Sequence, residues 1–371
     1  MTIKPLLGPN GRLPILIRDD DTNFFTKTEM LESLYSEAWN EGFKVSLSVV
    51  PCQSGIGDLC VPPQERNTGL SYSIGDNISL VKYLKGKVLE GSVEILQHGL
   101  HHTYDRFRRG EFSGALHSTN SILQGKDIIA KAFGKQPIFF VPPGEDISYE
   151  NLKLILELGM IPIYRNTIFD RFMRLGHFPN LIKKISFRLI MSLYSKIYLE
   201  ESILSLMKPV ILSPVDGFIQ WSLPRSKIRN LKTNEGLLRL SRDIINSCSV
   251  NRTPLCILNH YHSYYYDWNP TITKDELFRT WIEVMRSFRD LEFSWKIDFI
   301  NLYERFMKVQ KVHTCQTGSK ITIKTEEEIT DYSFLSSSAI EQNSIAQYDK
   351  ETTICTIKNI LPESQIRLYL K

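Results

Sequence analysis

The sequence predicts an α/β fold, built as a closed or nearly closed barrel of about seven strand–helix repeats. Three observations carry that prediction. Apolar runs of strand length alternate with segments of helical period along residues 13–309. Histidines and carboxylates follow several of those runs directly, where the reactive end of such a barrel lies. After about residue 311 the composition turns to Thr, Ser, Ile and Glu with two-residue alternation, which reads as a small all-β appendage.

The strands expected in order are 13–18, 43–50, 92–97, 137–141, 160–164, 209–213 and 254–259. The first is Leu13-Pro-Ile-Leu-Ile17, ending in Arg18-Asp19-Asp20-Asp21; the third ends in Gln97-His98-Gly99-Leu100-His101-His102. The fourth runs into Val141-Pro142-Pro143-Gly144-Glu145, and the last is Leu255-Cys-Ile-Leu-Asn-His260. Helices are expected at about 27–41, 77–89, 110–133, 147–158, 234–248, 273–288 and 297–309. Residues 170–208 read as a helical insertion. Within it, 181–199 places Lys184, Arg188, Ser192 and Ser195 on one narrow polar stripe, as a helix covering the barrel or resting on an anionic membrane would. Residues 311–371, with Lys320-Ile-Thr-Ile-Lys-Thr325 and Ile366-Arg-Leu-Tyr-Leu370, are expected to pack as strands on the barrel or on a partner.

Composition narrows the function classes. A chain of 371 residues fits one barrel, spanning 1–310, plus that appendage. A net charge of +4 spread over this length does not argue for nucleic acid, and no glycine-rich phosphate loop follows a strand. The amino terminus lacks the apolar core of a signal peptide, so a cytoplasmic placement is expected, peripheral at the inner membrane face if 181–199 binds lipid. Cys52, Cys60, Cys248, Cys256, Cys315 and Cys355 form no Cys-x-x-Cys pair and read as free thiols.

Imidazole and carboxylate at one edge of a sheet are what a divalent ion with open coordination positions needs. His98 and His102 stand four apart, and three adjacent carboxylates repel one another unless a cation or donors compensate. Pro142, Pro143 and Gly144 fix a rigid turn at a strand end. Tyr261, Tyr264, Tyr265, Tyr266 and Trp268 follow the last strand, as rings for stacking on a sugar or as a loop core.

In this order the motifs resemble those of the polysaccharide deacetylase family, including carbohydrate esterase family 4, over about residues 10–305. Arg18-Asp19-Asp20 stands at the first motif, His98-Gly-Leu-His-His102 at the second, Pro142-Pro-Gly144 at the third and Leu258-Asn-His260 at the last. The resemblance implies a distorted (β/α)7–8 barrel and a hydrolase that removes an N-acyl group from an amino sugar or glycan precursor. It implies Asp20, His98 and His102 as ligands of a divalent metal, commonly Zn2+, with Asp19 as general base and His260 as general acid. Pro142, Pro143, Gly144, Tyr261 and His262 are then expected to contact substrate. The acidic triplet admits a second register, with Asp20 as base and Asp21 as ligand. The arginine that opens the family's third motif is Phe140 here, which leaves Arg18 or Arg165 to supply its charge. That replacement and the extra strands also raise a rival reading, a catalytically silent barrel that binds glycan in a surface-polysaccharide pathway.

Overall fold

The computed structural model describes residues 3–55, 60–105, 110–114, 119–145, 147–164, 209–212, 218–222, 254–265, 273–336, 338–341 and 344–370, with isolated positions between 242 and 252. The expected insertion at 170–208 with its basic segment 181–199, Arg165, most of the helix expected at 234–248, Tyr266 and Trp268 lie outside the described residues.

Strand β1 (Ile3–Leu6) and the long β2 (Leu13–Thr22) open the chain, followed by helix α1 (Thr28–Asn40) and β3 (Val45–Val49). A small hairpin of β4 (Cys52–Ser54) and β5 (Ser71–Ser73) precedes α2 (Ile78–Leu89) and β6 (Val93–His98). Then come α3 (Thr119–Phe133), β7 (Phe139–Val141), α4 (Tyr149–Glu157), β8 (Ile161–Tyr164), β9 (Pro209–Leu212), β10 (Phe218–Ser222) and β11 (Leu255–His260). Helix α5 (Lys274–Arg289), β12 (Ser294–Lys296) and α6 (Phe299–Gln310) complete this part.

The sheet closes on itself in the order β2-β3-β6-β7-β8-β9-β10-β11, with β11 pairing back to β2. All neighbours in the ring are parallel except at β9, which runs against both β8 and β10. The ten residues of β2 serve three partners. β12 pairs its first residues on the edge where β11 pairs Ile15 through Asp20, and β3 lies on the other edge. Each expected strand is present. The short β4, β5, β10 and β12 were not foreseen, and α3 begins at Thr119 rather than 110 because Gly110, Glu111 and Gly114 belong to a loop.

Alternation along β2 sorts its side chains into layers. Leu13, Ile15 and Ile17 face outward into a core with Leu31, Leu34 and Tyr35 of α1 and Trp281, Val284 and Phe288 of α5. Leu16 faces inward with Leu96, Phe139, Val141, Ile161, Ile163 and Cys256, and Phe299, Leu302 and Phe306 of α6 close that interior. Side chains start the helices: Asn77 accepts from Leu80 N, Asp298 from Asn301 N, and Thr273 with Glu276 makes a capping box on α5. Trp281 Nε1 donates to Leu34 O at 2.8 Å and pins α5 to α1. Among the described residues, no helix is long and apolar enough to cross a membrane.

The remaining strands are β13 (Val312–Thr317), β14 (Lys320–Thr325), β15 (Ile329–Ser336), β16 (Ala346–Asp349), β17 (Ile354–Ile360) and β18 (Gln365–Tyr369). They form two antiparallel sheets, β13-β14-β18 and β1-β15-β17-β16, so the first strand of the chain completes a sheet made by its end. Ile321, Ile323, Tyr332, Phe334, Ile357 and Leu368 share a core between them, joined by Val309 of α6. Arg305 of α6 donates to Leu7 O, Thr330 O and Asp331 O, so this one helix closes the barrel and anchors the β module.

Glu94 of β6 caps that closing helix. Its carboxylate accepts from Phe299 N and Ile300 N, both at 3.0 Å, and from Ser46 Oγ at 2.6 Å. Burial, then the charge of Asp298, push its pKa up to about 7. An acid with a higher pKa folded than unfolded weakens the native state only when ionised. The penalty is absent below about pH 4.5, grows as pH rises and is complete above about 7. It amounts to about 2 kcal/mol for a half-buried group. Denaturation of the wild type should therefore show stability falling across that window and Glu94→Gln a flatter profile; parallel profiles would clear Glu94 of the effect.

Candidate active site

At the carboxyl end of the barrel, β2 delivers four successive charged side chains, all buried: Arg18, Asp19, Asp20 and Asp21. The three carboxylates go to different environments because the strand is irregular there. Asp19 pairs with Leu47 and Thr22 with Val49, so β2 spends three residues where β3 spends two. Such a bulge re-aims the side chains that follow it. Asp21 takes the left-handed backbone, φ 75°, and leaves the helix-facing row that simple alternation would give it.

The bulge brings Asp21, not Asp20, to the histidines. Asp21 Oδ1 lies 3.1 Å from His98 Nε2 and 2.8 Å from His102 Nε2, and Oδ2 lies 2.9 Å from His262 Nε2. Burial pushes the Asp21 carboxyl up, but His102 first, then hydrogen bonds from His262 and His98, hold it well below the usual carboxylate range. His98 Nδ1 lies 2.9 Å from Val141 O, which fixes that nitrogen as the N–H. A neutral His98 therefore aims its Nε2 lone pair at a carboxylate oxygen, an arrangement that needs a proton or a cation between them. Asp21, His98 and His102 each offer a ligand atom within 4.8 Å of the others, so the residues present fit a divalent ion.

Asp20 belongs to a second network. Arg18 Nη2 donates to Asp20 Oδ2 at 2.8 Å and to Glu145 Oε1 at 2.6 Å, with all three side chains buried. Burial works against the guanidinium's charge, but Asp20 and Glu145 outweigh it and raise its pKa above the ordinary value. Asp20 Oδ1 is buried with no hydrogen-bond partner. Arg18 thus places a positive charge on Asp20 from the same strand; Phe140 faces the other way, packed edge-on against Phe112.

Asp19 points into the helix layer. It accepts from Tyr35 Oη of α1 and from Tyr261 N at 3.2 Å, and burial pushes its carboxyl well up. That face does not reach the histidines, which is the physical reason the register starting at Asp19 is not the one assembled. Tyr261 is also fully buried, its hydroxyl accepting from Thr26 Oγ1 at 2.8 Å, and Tyr264 is buried with its hydroxyl on Asn259. These rings are core, not a sugar platform. His260 ends β11 opposite Asp20, partly exposed, with its ring 5.7 Å from that of His262.

The second and third motifs are wedged together. A Cβ on Gly99 would sit 2.6 Å from Pro143 Cγ and 2.7 Å from Glu111 Oε2. Pro142 and Pro143 are buried and Gly144 half-buried, so the first two back the histidine turn from within. Glu111 holds that turn from outside: its carboxylate accepts from Leu100 N, His101 N and His102 N at 3.1–3.3 Å. His102 (φ 54°) and Glu145 (φ 58°) join Asp21 in the left-handed region, a concentration of backbone strain at one rim. Glu111 had no signal in the sequence; Glu145 stood in the quoted Pro-Pro-Gly-Glu run without a role.

Metal content after dialysis separates the two registers. Asp21→Asn and His98→Ala should lose a bound divalent ion while Asp20→Asn retains it; the opposite pattern would return the ligand role to Asp20. Glu111→Ala should weaken metal binding about ten- to hundredfold by releasing the His102 turn.

No family model matches this sequence, and no curated protein matches it. Among solved structures, the chain is similar to peptidoglycan deacetylase PdaC from Bacillus subtilis, with TM-score 0.41, 11% identity, and coverage of 82% of this chain and 96% of that one. It is similar to a family 4 acetyl xylan esterase from Clostridium thermocellum, solved with a cobalt ion, with TM-score 0.34, 13% identity and coverage of 74% and 84%. It is likewise similar to a family 4 carbohydrate esterase from Streptomyces lividans, with TM-score 0.33, 11% identity and coverage of 74% and 90%. At 11–13% identity these structures share little sequence with the chain.

Proposed function

We propose that this protein is a metal-dependent hydrolase that removes an N-acyl group from an amino sugar or glycan precursor. The observation that carries the reading is the pairing of two buried clusters: a carboxylate gathered with imidazoles, and beside it Asp20, oriented by Arg18 and keeping one oxygen without a partner. Asp21, His98 and His102 would hold the ion, which when bound supplies Lewis-acid activation of water and of the acyl carbonyl.

The other steps belong to this chain's own groups. Asp20 Oδ1 takes the proton of the attacking water, while Arg18 on Oδ2 fixes the carboxylate's direction. Glu145 accepts from the same Arg18 nitrogen, Nη2, and balances the guanidinium's charge with a second carboxylate. His260, partly exposed at the end of β11, gives a proton to the departing amine, which is a poor leaving group without it. His262 Nε2 on Asp21 Oδ2 orients the ligand carboxylate. The rival reading, a silent glycan-binding barrel, rests on the missing arginine and the extra β-strands; the Arg18 charge beside Asp20 speaks against the first of these grounds.

The test is acetate release from N-acetylglucosamine oligomers by the zinc-loaded protein. Asp20→Asn and His260→Ala should each lower kcat by about 10²–10⁴-fold with the metal retained. His262→Ala should lower metal affinity instead. A zinc-loaded wild type that releases no acetate yet binds the oligomers would favour the silent barrel.

A further inference from the structure

Base, acid and ligands leave one demand of the reaction assigned to no side chain. As water adds to the acyl carbon, negative charge builds on the acyl oxygen, and a fixed donor aimed there is among the strongest aids to such a reaction. Tyr104 stands beside the cluster that would hold the ion. Its hydroxyl lies 3.4 Å from His102 Nε2, and its ring meets the His102 ring edge-on, with centroids 5.3 Å apart at 89°. His102 Nε2 is also the nitrogen 2.8 Å from Asp21 Oδ1, so the phenol reaches a candidate ligand atom.

The ring is placed by the turns after β6 and β7 together. The backbone of Tyr104 bridges Gly110 in antiparallel fashion, and Gly110 lies so close to the second turn that a Cβ there would sit 1.8 Å from Pro143 O. Gly144 makes room for the ring: a Cβ on it would stand 3.2 Å from Tyr104 Cε1, and its φ of 70° suits glycine. Tyr104 is half-buried while Asp21, His98 and His102 are buried, which puts it on the solvent side of the three. A substrate reaches the cluster from that side.

The contact with His102 and the binding of an ion exclude one another. An imidazole nitrogen carries one proton or one lone pair in the ring plane, and a ligated Nε2 gives that lone pair to the ion. Whichever group donates in the contact seen here, ion binding ends it and turns the phenol toward the ion's other neighbours. We propose that Tyr104 is a further catalytic residue, whose hydroxyl donates to the acyl oxygen as that oxygen gains charge. This rests on the function proposed above. The phenol keeps its proton throughout, so a phenylalanine at 104 preserves the ring on His102 and Gly144 and removes only the donor.

The test compares the zinc-loaded wild type with Tyr104→Phe, using acetate, the released product, as a probe whose oxygen meets the same donor. Calorimetric titration should show acetate bound about tenfold more weakly by Tyr104→Phe, with zinc content and thermal midpoint unchanged. On N-acetylglucosamine oligomers kcat should fall about 10²-fold with KM little changed, because the full charge exists only in the transition state. A ring that merely packs would move neither quantity. Fluorotyrosine placed at position 104, which needs no loss of the phenol, should shift its fluorine resonance when acetate is added to the zinc-loaded protein and not to the zinc-free one. Unchanged acetate affinity or unchanged kcat in Tyr104→Phe, or a fluorine signal indifferent to acetate, would overturn the proposal. So would loss of zinc in Tyr104→Phe, which would make the phenol a support of the ligands instead. Loss of the wider reading looks different: a zinc-loaded wild type that releases no acetate from oligomers, while its acetate titration still decides Tyr104.

Discussion

One extra residue in β2 sets the chemistry of this protein. A regular strand would send Arg18 and Asp20 to the barrel interior and Asp19 and Asp21 together into the helix layer, two carboxylates on one buried face. Ionised neighbours in a dry layer are costly unless each finds its own donors. The bulge separates them: Asp19 stays with Tyr35 and Tyr261 N, and Asp21 turns to three imidazoles. The left-handed backbone at Asp21 is the cost of that separation, and the strands on either edge of β2 keep it in place.

The same logic runs around the rim. His98 is delivered by a regular strand, but His102 needs a sharp turn to bring its ring back beside it. Gly99 permits the close approach of Pro143, and Glu111 collects three successive backbone N–H groups of the turn. A carboxylate facing three amides costs little to bury and leaves the turn few alternative conformations. The site is therefore held by backbone contacts between loops from β6, β7 and the segment around Glu111, not by the histidines alone.

Most of the fold was legible because barrel strands buried on both faces read as apolar runs, and their expected spans fall within a few residues of those observed. Short strands escaped for the same reason inverted: Cys52–Ser54 and Ser294–Lys296 carry no apolar run to see. In the site, His98, His102 and the acidic triplet were legible, but which carboxylate serves which role was not, since alternation cannot reveal a bulge. Tyr261 and Tyr264 read either as sugar-stacking rings or as a loop core; in the structure they are buried with their hydroxyls satisfied inside the core. Phe24, Phe25 and Tyr72 are among the rings left partly open, and Tyr72 meets the two adjacent phenylalanines from a distant hairpin.

The displaced arginine shows what such a site requires. A base needs a fixed orientation and a nearby positive charge, and neither demand specifies a strand of origin. Position 140 faces away from the barrel interior, whereas Arg18 lies two residues from Asp20 on the same face of the same strand. There a single guanidinium nitrogen, Nη2, meets two carboxylates at once. Glu145 is the second, reaching it from the turn after β7 with a left-handed backbone. The buried charges are thus divided between two elements, with Asp20 and its cation on β2 and a second carboxylate in the turn after β7. Phe140 faces outward instead and packs with Phe112, which belongs to the loop that also carries Glu111, the carboxylate that collects the amides of the histidine turn.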